Sequence, residues 1–274
     1  MNQGAIGPLS LNTVTVRERW GLPECIEGCV RHGIPGISPW RDVLQAMGVD
    51  RAARQIRDAG LHVSGLCRGG MFTAADVAGR RAAIDDNMRA IDEAHAIGAD
   101  CLVMVCGGLP AGSRDLPGAR EMVREGLAAI LPYARSANVT IGLEPLHPMT
   151  CADRSVLSTL GLALDLCDEF GDGMGVAVDV YHVWWDPDLA NQIARGGRRI
   201  AGFHVCDWLV PTTDLVFDRG MPGDGVIDIP AIRAMAEAAG YRGAVECELL
   251  SHRWWGEDPD RVLEIIKHRH MTVC

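Results

Sequence analysis

Short β-rich runs alternate with longer amphipathic segments from end to end, and this alternation limits the folds open to the chain more than any single residue does. Eight runs read as strands: Gly7–Leu11, Gly33–Ile37, His62–Cys67, Cys101–Cys106, Thr140–Glu144, Gly175–Asp179, Ile200–Val205 and Ala244–Leu249. Between them, apolar residues at helical spacing mark Arg51–Ala59, Ala82–Ile97, Arg120–Ser136, Val156–Phe170 and Ala231–Ala239. Several of these helices run out into Gly60, Gly98, Asn138, Gly171 or Gly240 just before the next strand. Eight βα units in succession, with no low-complexity linker, predict a closed barrel rather than an open sheet. The expectation is an α/β protein with one (β/α)8 barrel domain over residues 1–274.

The four last strand runs each end in a metal-ligand type: Glu144 in Thr-Ile-Gly-Leu-Glu-Pro, Asp179 in Val-Ala-Val-Asp, His204 in Gly-Phe-His-Val, and Glu248 in Ala-Val-Glu-Cys-Glu-Leu. Side chains alternate faces along a strand. Gly142 therefore shares a face with Glu144, Ala177 with Asp179 and Gly202 with His204. The opposite face is apolar: Ile141 and Leu143, Val176 and Val178, Ala201 and Phe203. A small residue beneath each polar tip and an apolar face toward covering helices describe a metal site at the mouth of a parallel barrel, where such folds carry their active sites. Unpaired carboxylates that close repel one another, and a cation resolves the repulsion. Three carboxylates and an imidazole without thiolate suit Mn²⁺ first, with Mg²⁺, Co²⁺, Fe²⁺ and Zn²⁺ as alternatives. On the eighth strand Glu246 and Glu248 share a face. Glu248, nearer the C-terminal end, is favoured as ligand, which leaves Glu246 a layer deeper and in need of an arginine or a proton.

With 274 residues, 48% of them hydrophobic, the chain can bury a large core. Its 36 acidic residues against 26 basic give a net charge of −10, which disfavours nucleic acid as a partner. No apolar run is long enough to span a membrane, and the opening Met-Asn-Gln-Gly-Ala-Ile-Gly lacks the features of an export signal. Ten scattered cysteines without a Cys-x-x-Cys read as reduced thiols of a cytoplasmic protein. Cys67 and Cys106 end strand runs and are expected near the barrel mouth. The non-periodic stretch Asp207–Ile229 is too long for a passive connection and is expected to form a lid. Trp184–Trp185, Trp208 and Trp254–Trp255 each follow a ligand strand, as walls for sugar rings do. Trp185 and Trp208 are the candidates for substrate contact, with His147, three residues after Glu144, as a further donor.

These segments resemble the xylose isomerase-like superfamily of divalent-metal TIM barrels, which holds sugar isomerases and epimerases, inosose dehydratase and apurinic endonuclease type 4. The resemblance spans nearly the whole chain and is sharp from Gly142 onward. Its motifs are Leu-Glu-Pro-Leu-His-Pro, Asp-Val-Tyr-His-Val-Trp-Trp, Phe-His-Val-Cys-Asp-Trp, Asp-Arg-Gly-Met-Pro-Gly-Asp-Gly-Val-Ile-Asp and Glu-Leu-Leu. It implies Glu248 as fourth ligand, His182 as a substrate contact and Arg219 as a binder of substrate oxygens. The sequence departs from the endonuclease branch, carrying Cys67-Arg68, Cys106-Gly107 and Gly220 where that branch has metal-binding histidines. It also departs from the ketose 3-epimerase branch, with Thr150 in place of a second glutamate.

The expected activity is isomerisation or epimerisation of a sugar or keto-polyol, a small-molecule carbohydrate. A divalent metal would act as Lewis acid on an enediolate formed by proton loss α to a carbonyl. Glu144 and Glu248, on opposite flanks, would remove and return the proton. The alternative is a lyase of the same fold, which expels water or an aglycone from the same enediolate. An apurinic endonuclease comes third. Related barrels associate as dimers or tetramers, and the tryptophans allow it.

Overall fold

The structure, a computed structural model, describes residues 8–274. The expected start of the first strand at Gly7 and the opening Met-Asn-Gln-Gly-Ala-Ile-Gly lie outside them. One sheet curls round on itself and helices cover its outside. In chain order the elements are β1 (Leu9–Asn12), α1 (Leu22–His32), β2 (Gly36–Ser38), α2 (Arg41–Met47), α3 (Val49–Asp58), β3 (His62–Val63) and β4 (Leu66–Gly70). There follow α4 (Val77–Ile97), β5 (Leu102–Val105), α5 (Leu116–Ser136), β6 (Ile141–Leu143), α6 (Leu160–Phe170), β7 (Met174–Asp179), α7 (Val180–Val183), α8 (Leu189–Gly196) and β8 (Ile200–Val205). The chain ends with β9 (Asp207–Trp208), β10 (Arg219–Gly220), α9 (Ile229–Ala238), β11 (Val245–Cys247), α10 (His252–Trp255) and α11 (Pro259–Thr272).

The sheet runs β3-β2-β1-β11-β8-β7-β6-β5-β4, every pairing parallel. The predicted third strand, His62–Cys67, is broken at Ser64 and Gly65. Its first half, β3, pairs with β2 and its second half, β4, with β5. A bridge between Trp40 and Cys67 then links the β2 and β4 edges into a nearly closed barrel. Gly60, Gly98, Asn138, Gly171 and Gly240 all hold the left-handed φ that ends a helix, as their positions predict. Gly33, placed by sequence in a strand, does the same for α1. At the other ends Asp76, Asp115, Thr159, Asp228 and Asp258 accept from backbone N–H groups three residues on, each cap contributing about 1 kcal/mol. Thr159 starts α6 later than the apolar pattern suggests, because Val156 is held in an extended backbone by its N–H to Gly107 O at 2.9 Å.

The outward apolar faces of the strands, including Ile141, Leu143, Val176, Val178 and Phe203, join the core beneath the helices. A separate small cluster of Cys67, Cys101, Val103 and Ala177, with Trp40 and Ala201, fills the barrel interior. Ala201 was expected on the outward face with Phe203. The β7–β8 register slips between Val176 and Ala177, so Val176 faces Ile200 but Ala177 faces Gly202, and Ala201 turns inward. All ten cysteines are free thiols. Among the described residues no helix is long and apolar enough to cross a membrane.

Candidate metal and substrate site

Glu144 follows β6, Asp179 ends β7, His204 lies in β8 and Glu248 follows β11, so four adjacent strands deliver the four side chains to one end of the barrel. Register fixes their heights, since Asp179 pairs with His204. One ligand atom from each of the four lies within 4.8 Å of all the others, and all four residues are buried. His204 Nδ1 stands 3.0 Å from Glu144 Oε1 and 4.0 Å from Glu248 Oε2. The glycine beneath matters here: a Cβ on Gly202 would lie 3.3 Å from His204 Nε2.

Strand parity leaves the choice between Glu246 and Glu248 open, and the geometry makes it. Glu248 reaches the cluster, whereas Glu246 pairs in register with His204 and sits behind its ring, Oε1 3.7 Å from Nε2. Neither an arginine nor a shared proton satisfies Glu246. It accepts from Asn12 Nδ2 and from Ser64 Oγ, each at 2.7 Å. Asn12 Nδ2 also reaches Glu248 Oε1 at 3.2 Å, so one amide ties the two glutamates together. A carboxylate, an imidazole and a cation site in line is the arrangement that orients a metal-ligating histidine.

Arg219 reaches the site because β9 and β10 pair antiparallel and fold the Asp207–Ile229 stretch back over the barrel. Asp207 anchors that stretch, its carboxylate accepting from the N–H groups of Trp208, Gly223 and Ile227. The Arg219 Nη1 donates to Asp179 Oδ2 at 3.0 Å and to Glu248 Oε2 at 3.3 Å, and the guanidinium lies over the Tyr181 ring at 4.4 Å. His182, on α7, is 3.6 Å from Asp179 Oδ2. Its Nδ1 accepts the His147 N–H at 3.1 Å, while its Nε2 meets Arg219 Nη2 at 3.1 Å. A neutral imidazole has one lone pair in the ring plane, so one of these two donors is left unmatched.

Burial sets the protonation of the group. It pushes Glu248 up to about 8, with the Glu144 charge adding to the rise and Arg219 and His204 opposing it. Burial raises Asp179 as well, against the pull of Arg219. His204 goes the other way to its burial: the Glu246 and Glu144 carboxylates outweigh desolvation and hold the imidazolium well above its ordinary range. His182 is pushed well below that range, first by burial and then by Arg219 and Arg154, and is neutral. Three carboxylates thus converge on one point with a proton and one guanidinium for compensation. The donor set fits a divalent ion, which would replace the proton.

The cluster floors a small cavity of about 10 Å³, lined in part by Glu144, His182, Arg219 and Glu248. The wall opposite carries Trp40, Arg68, Arg154 and Leu250, and the same four residues continue into an outer cleft of about 310 Å³. Cys67 lines the cavity, whereas Cys106 is fully buried in the outer core. His147, Trp185 and Trp208 stand behind His182 instead. The His147 ring lies 4.8 Å from Trp208 and 5.7 Å from Trp185, and Trp185 Nε1 donates to His182 O at 2.8 Å. Trp254 and Trp255 are buried, the latter donating to Val14 O, and provide packing.

The sequence reading missed Asn12, Ser64, Trp40 and Arg154. Arg68 was noted only for the histidine it replaces. No periodic signal marks Arg154, which sits in an irregular segment after β6. Arg68 and Cys67 are consecutive yet both line the cavity, because the β4–β5 register slips between Cys67 and Gly69.

A family model described as xylose isomerase-like TIM barrel matches residues 26–269. No curated protein matches the chain. Among solved structures, protein SMc04130 from Sinorhizobium meliloti 1021 is 54% identical, with a TM-score of 0.97 over 98% of this chain and 99% of that one. The IOLI protein with a binding zinc atom is 19% identical, with a TM-score of 0.81 over 97% of each chain. The 3-keto-D-glucoside 4-epimerase YcjR from E. coli is 19% identical, with a TM-score of 0.77 over 97% of this chain and 99% of that one. The last two establish likeness of fold.

Proposed function

The chain belongs to the xylose isomerase-like TIM barrel family, and from that premise we propose that it is a divalent-metal-dependent isomerase or epimerase of a sugar or keto-polyol. The observation that carries the reading is the pair of glutamates, Glu144 and Glu248, delivered by β6 and β11 to opposite flanks of one buried cluster at the floor of a cavity. The zinc named for the IOLI protein and the keto-glucoside chemistry named for YcjR support it.

Glu144, Asp179, His204 and Glu248 would hold the ion, with Mn²⁺ the first choice for this oxygen-rich set. When bound, such an ion supplies Lewis acidity beside a substrate carbonyl. The protein's own groups do the rest. Glu248, whose proton affinity burial has raised toward neutrality, is suited to exchange a proton with a carbon acid, and Glu144 faces it from the other flank. Arg219 and His182 present donors to substrate oxygens: the unmatched Arg219–His182 contact is relieved when an oxygen accepts from both. Arg219 Nε is also buried without an acceptor. His147, Trp185 and Trp208 would back His182 and fix its orientation.

The test is incubation of the Mn²⁺-loaded protein in D₂O with ketoses, keto-inositols and 3-keto-glycosides, followed by NMR. Deuterium entering the carbon α to the carbonyl, with all substituents retained, supports the proposal. Glu144→Gln should slow that exchange by about 10²-fold or more. Release of water or an aglycone moves the assignment to a lyase, and absence of exchange with every compound refutes proton transfer as the function.

A further inference from the structure

The cavity has a polarity of its own. Acceptors crowd its floor, and unmatched donors crowd its rim. Arg68 and Arg154 both line the inner cavity and the outer cleft, each partly buried. Among the described residues neither guanidinium makes a hydrogen bond or an ion pair. By contrast, partly buried Arg41 is paired with Asp86 and Glu93, and buried Arg233 with Glu237. Trp40, in the same wall, holds a buried indole N–H without an acceptor.

Nearby charges do not neutralise the two arginines. Arg219 contacts Asp179 and Glu248, and a divalent ion held by Glu144, Asp179, His204 and Glu248 would balance the rest of the floor. Glu246 lies a layer lower, engaged by Asn12 and Ser64. Arg17, at the edge of the outer cleft, is taken by Asp42. Asp153 also borders that cleft, but it is exposed and pairs with neither arginine. Arg154 is itself held below the usual arginine range, first by burial and then by its neighbours Arg219 and Arg68, against the weaker pull of Glu144 and Glu248. Two cations kept together and without partners, in a chain of net charge −10, mark a place prepared for an anion.

We infer that the substrate carries an anionic group, a phosphate monoester or a carboxylate, at the end remote from its reacting carbon, and that Arg68 and Arg154 receive it. The inference deepens the proposed sugar isomerase reading by naming the substrate class, and it rests on that reading. A planar fork of donors from each arginine suits either oxyanion, and their shared wall with the metal-ligand floor fixes both ends of one molecule. Because the long-range field of the protein repels anions, this local pair has to supply the attraction.

The test is calorimetric titration with inorganic phosphate, D-fructose, D-fructose 6-phosphate and D-fructuronate, with and without Mn²⁺. At least one anionic sugar should bind tenfold or more tightly than fructose, and the advantage should shrink with added salt. Inorganic phosphate should bind in the millimolar range. Both effects should disappear in the Arg68→Gln/Arg154→Gln double variant and persist in Arg195→Gln on the outer surface. Should the double variant misfold, Arg154→Lys and Arg68→Lys, which keep charge and lose the fork, should reduce the advantage severalfold. Whichever anionic sugar binds better identifies the group. Binding of fructose as tight as that of both anionic sugars, no binding of any anion, or an advantage that survives in the folded double variant overturns the inference. Since binding is read without turnover, its failure is distinct from a failure of deuterium exchange.

Discussion

Replacing Glu246 with glutamine deletes one buried charge behind His204 and leaves every hydrogen bond able to form. In the present arrangement Oε1 accepts from Asn12 and faces His204 Nε2 at 3.7 Å, while Oε2 accepts from Ser64 Oγ, itself 2.7 Å from Ser10 Oγ. A glutamine keeps its oxygen toward Asn12 and His204 and turns its amide N–H to Ser64, whose hydroxyl proton then rotates to Ser10. The fold should therefore survive. Metal binding exchanges the proton of His204 for a dication and so adds one positive charge near Nδ1, a ring width beyond Nε2. At a separation of about 6 Å and an effective dielectric near 20, that charge gains roughly 3 kcal/mol from Glu246. Loss of a carboxylate that orients a metal-bound histidine ordinarily costs about 10- to 100-fold in affinity, equivalent to about 1.4–2.7 kcal/mol. The two figures agree, and Glu246→Gln should weaken Mn²⁺ binding within that range in calorimetry on chelator-stripped protein at neutral pH. Its metal-free thermal midpoint should fall, since the buried His204 imidazolium loses the carboxylate that most raises its proton affinity. An affinity within twofold of the parent, in a folded variant, would refute the reasoning.

Gly70 sits at φ +105° at the end of β4, and a Cβ there would fall 2.0 Å from the backbone oxygen of Val105. Gly70→Ala should destabilise the protein by about 3 kcal/mol or more, lowering the thermal midpoint by at least about 6 °C; a midpoint within 2 °C would contradict the β4–β5 register. Arg41 joins α2 to α4 by donating to Asp86 and Glu93, and its guanidinium holds the Asp86 carboxyl below the usual range, with burial opposing. Arg41→Gln should cost about 1–3 kcal/mol near pH 7 in urea unfolding. Because a depressed carboxyl adds stability above its unfolded pKa and loses it as pH falls through the folded one, the gap between parent and variant should be flat above about pH 5 and narrow below about pH 4. A gap independent of pH would assign the effect to packing alone.

The cluster of Glu144, Asp179, His204 and Glu248 was legible because period-two alternation and the C-terminal ends of parallel strands bring these residues together without further information. Parity failed wherever a strand departs from regularity. The slip at β7–β8 turned Ala201 inward, and the slip between Cys67 and Gly69 brought Arg68 to the cavity beside Cys67. Glu246 and Glu248 were indistinguishable by parity because they share a face, and only depth separates them: Glu248 reaches the cluster while Glu246 stands behind the His204 ring. The tryptophans misled for a different reason. A tryptophan just past a strand marks the neighbourhood of the mouth but not which way the ring turns, and Trp254 and Trp255 turned into the protein. Trp40, from the second strand's loop, supplies the indole of the cavity wall instead.

Stability does not explain how this cavity is built. Buried carboxylates in a group raise one another's proton affinity, and a pair of partly buried arginines without counter-ions raises the free energy of the fold further. Arg68 and Arg154 line the same cavity as Glu144 and Glu248, yet of the three arginines Arg219 is the one that contacts the floor. On the proposed reading, an arrangement unfavourable for the protein alone would be met by a divalent ion below and an oxygen-rich anion above. Such separation of unmatched acceptors from unmatched donors is what a site complementary to a bound reactant requires, and the ligand that satisfies both ends at once gains most from being held between them.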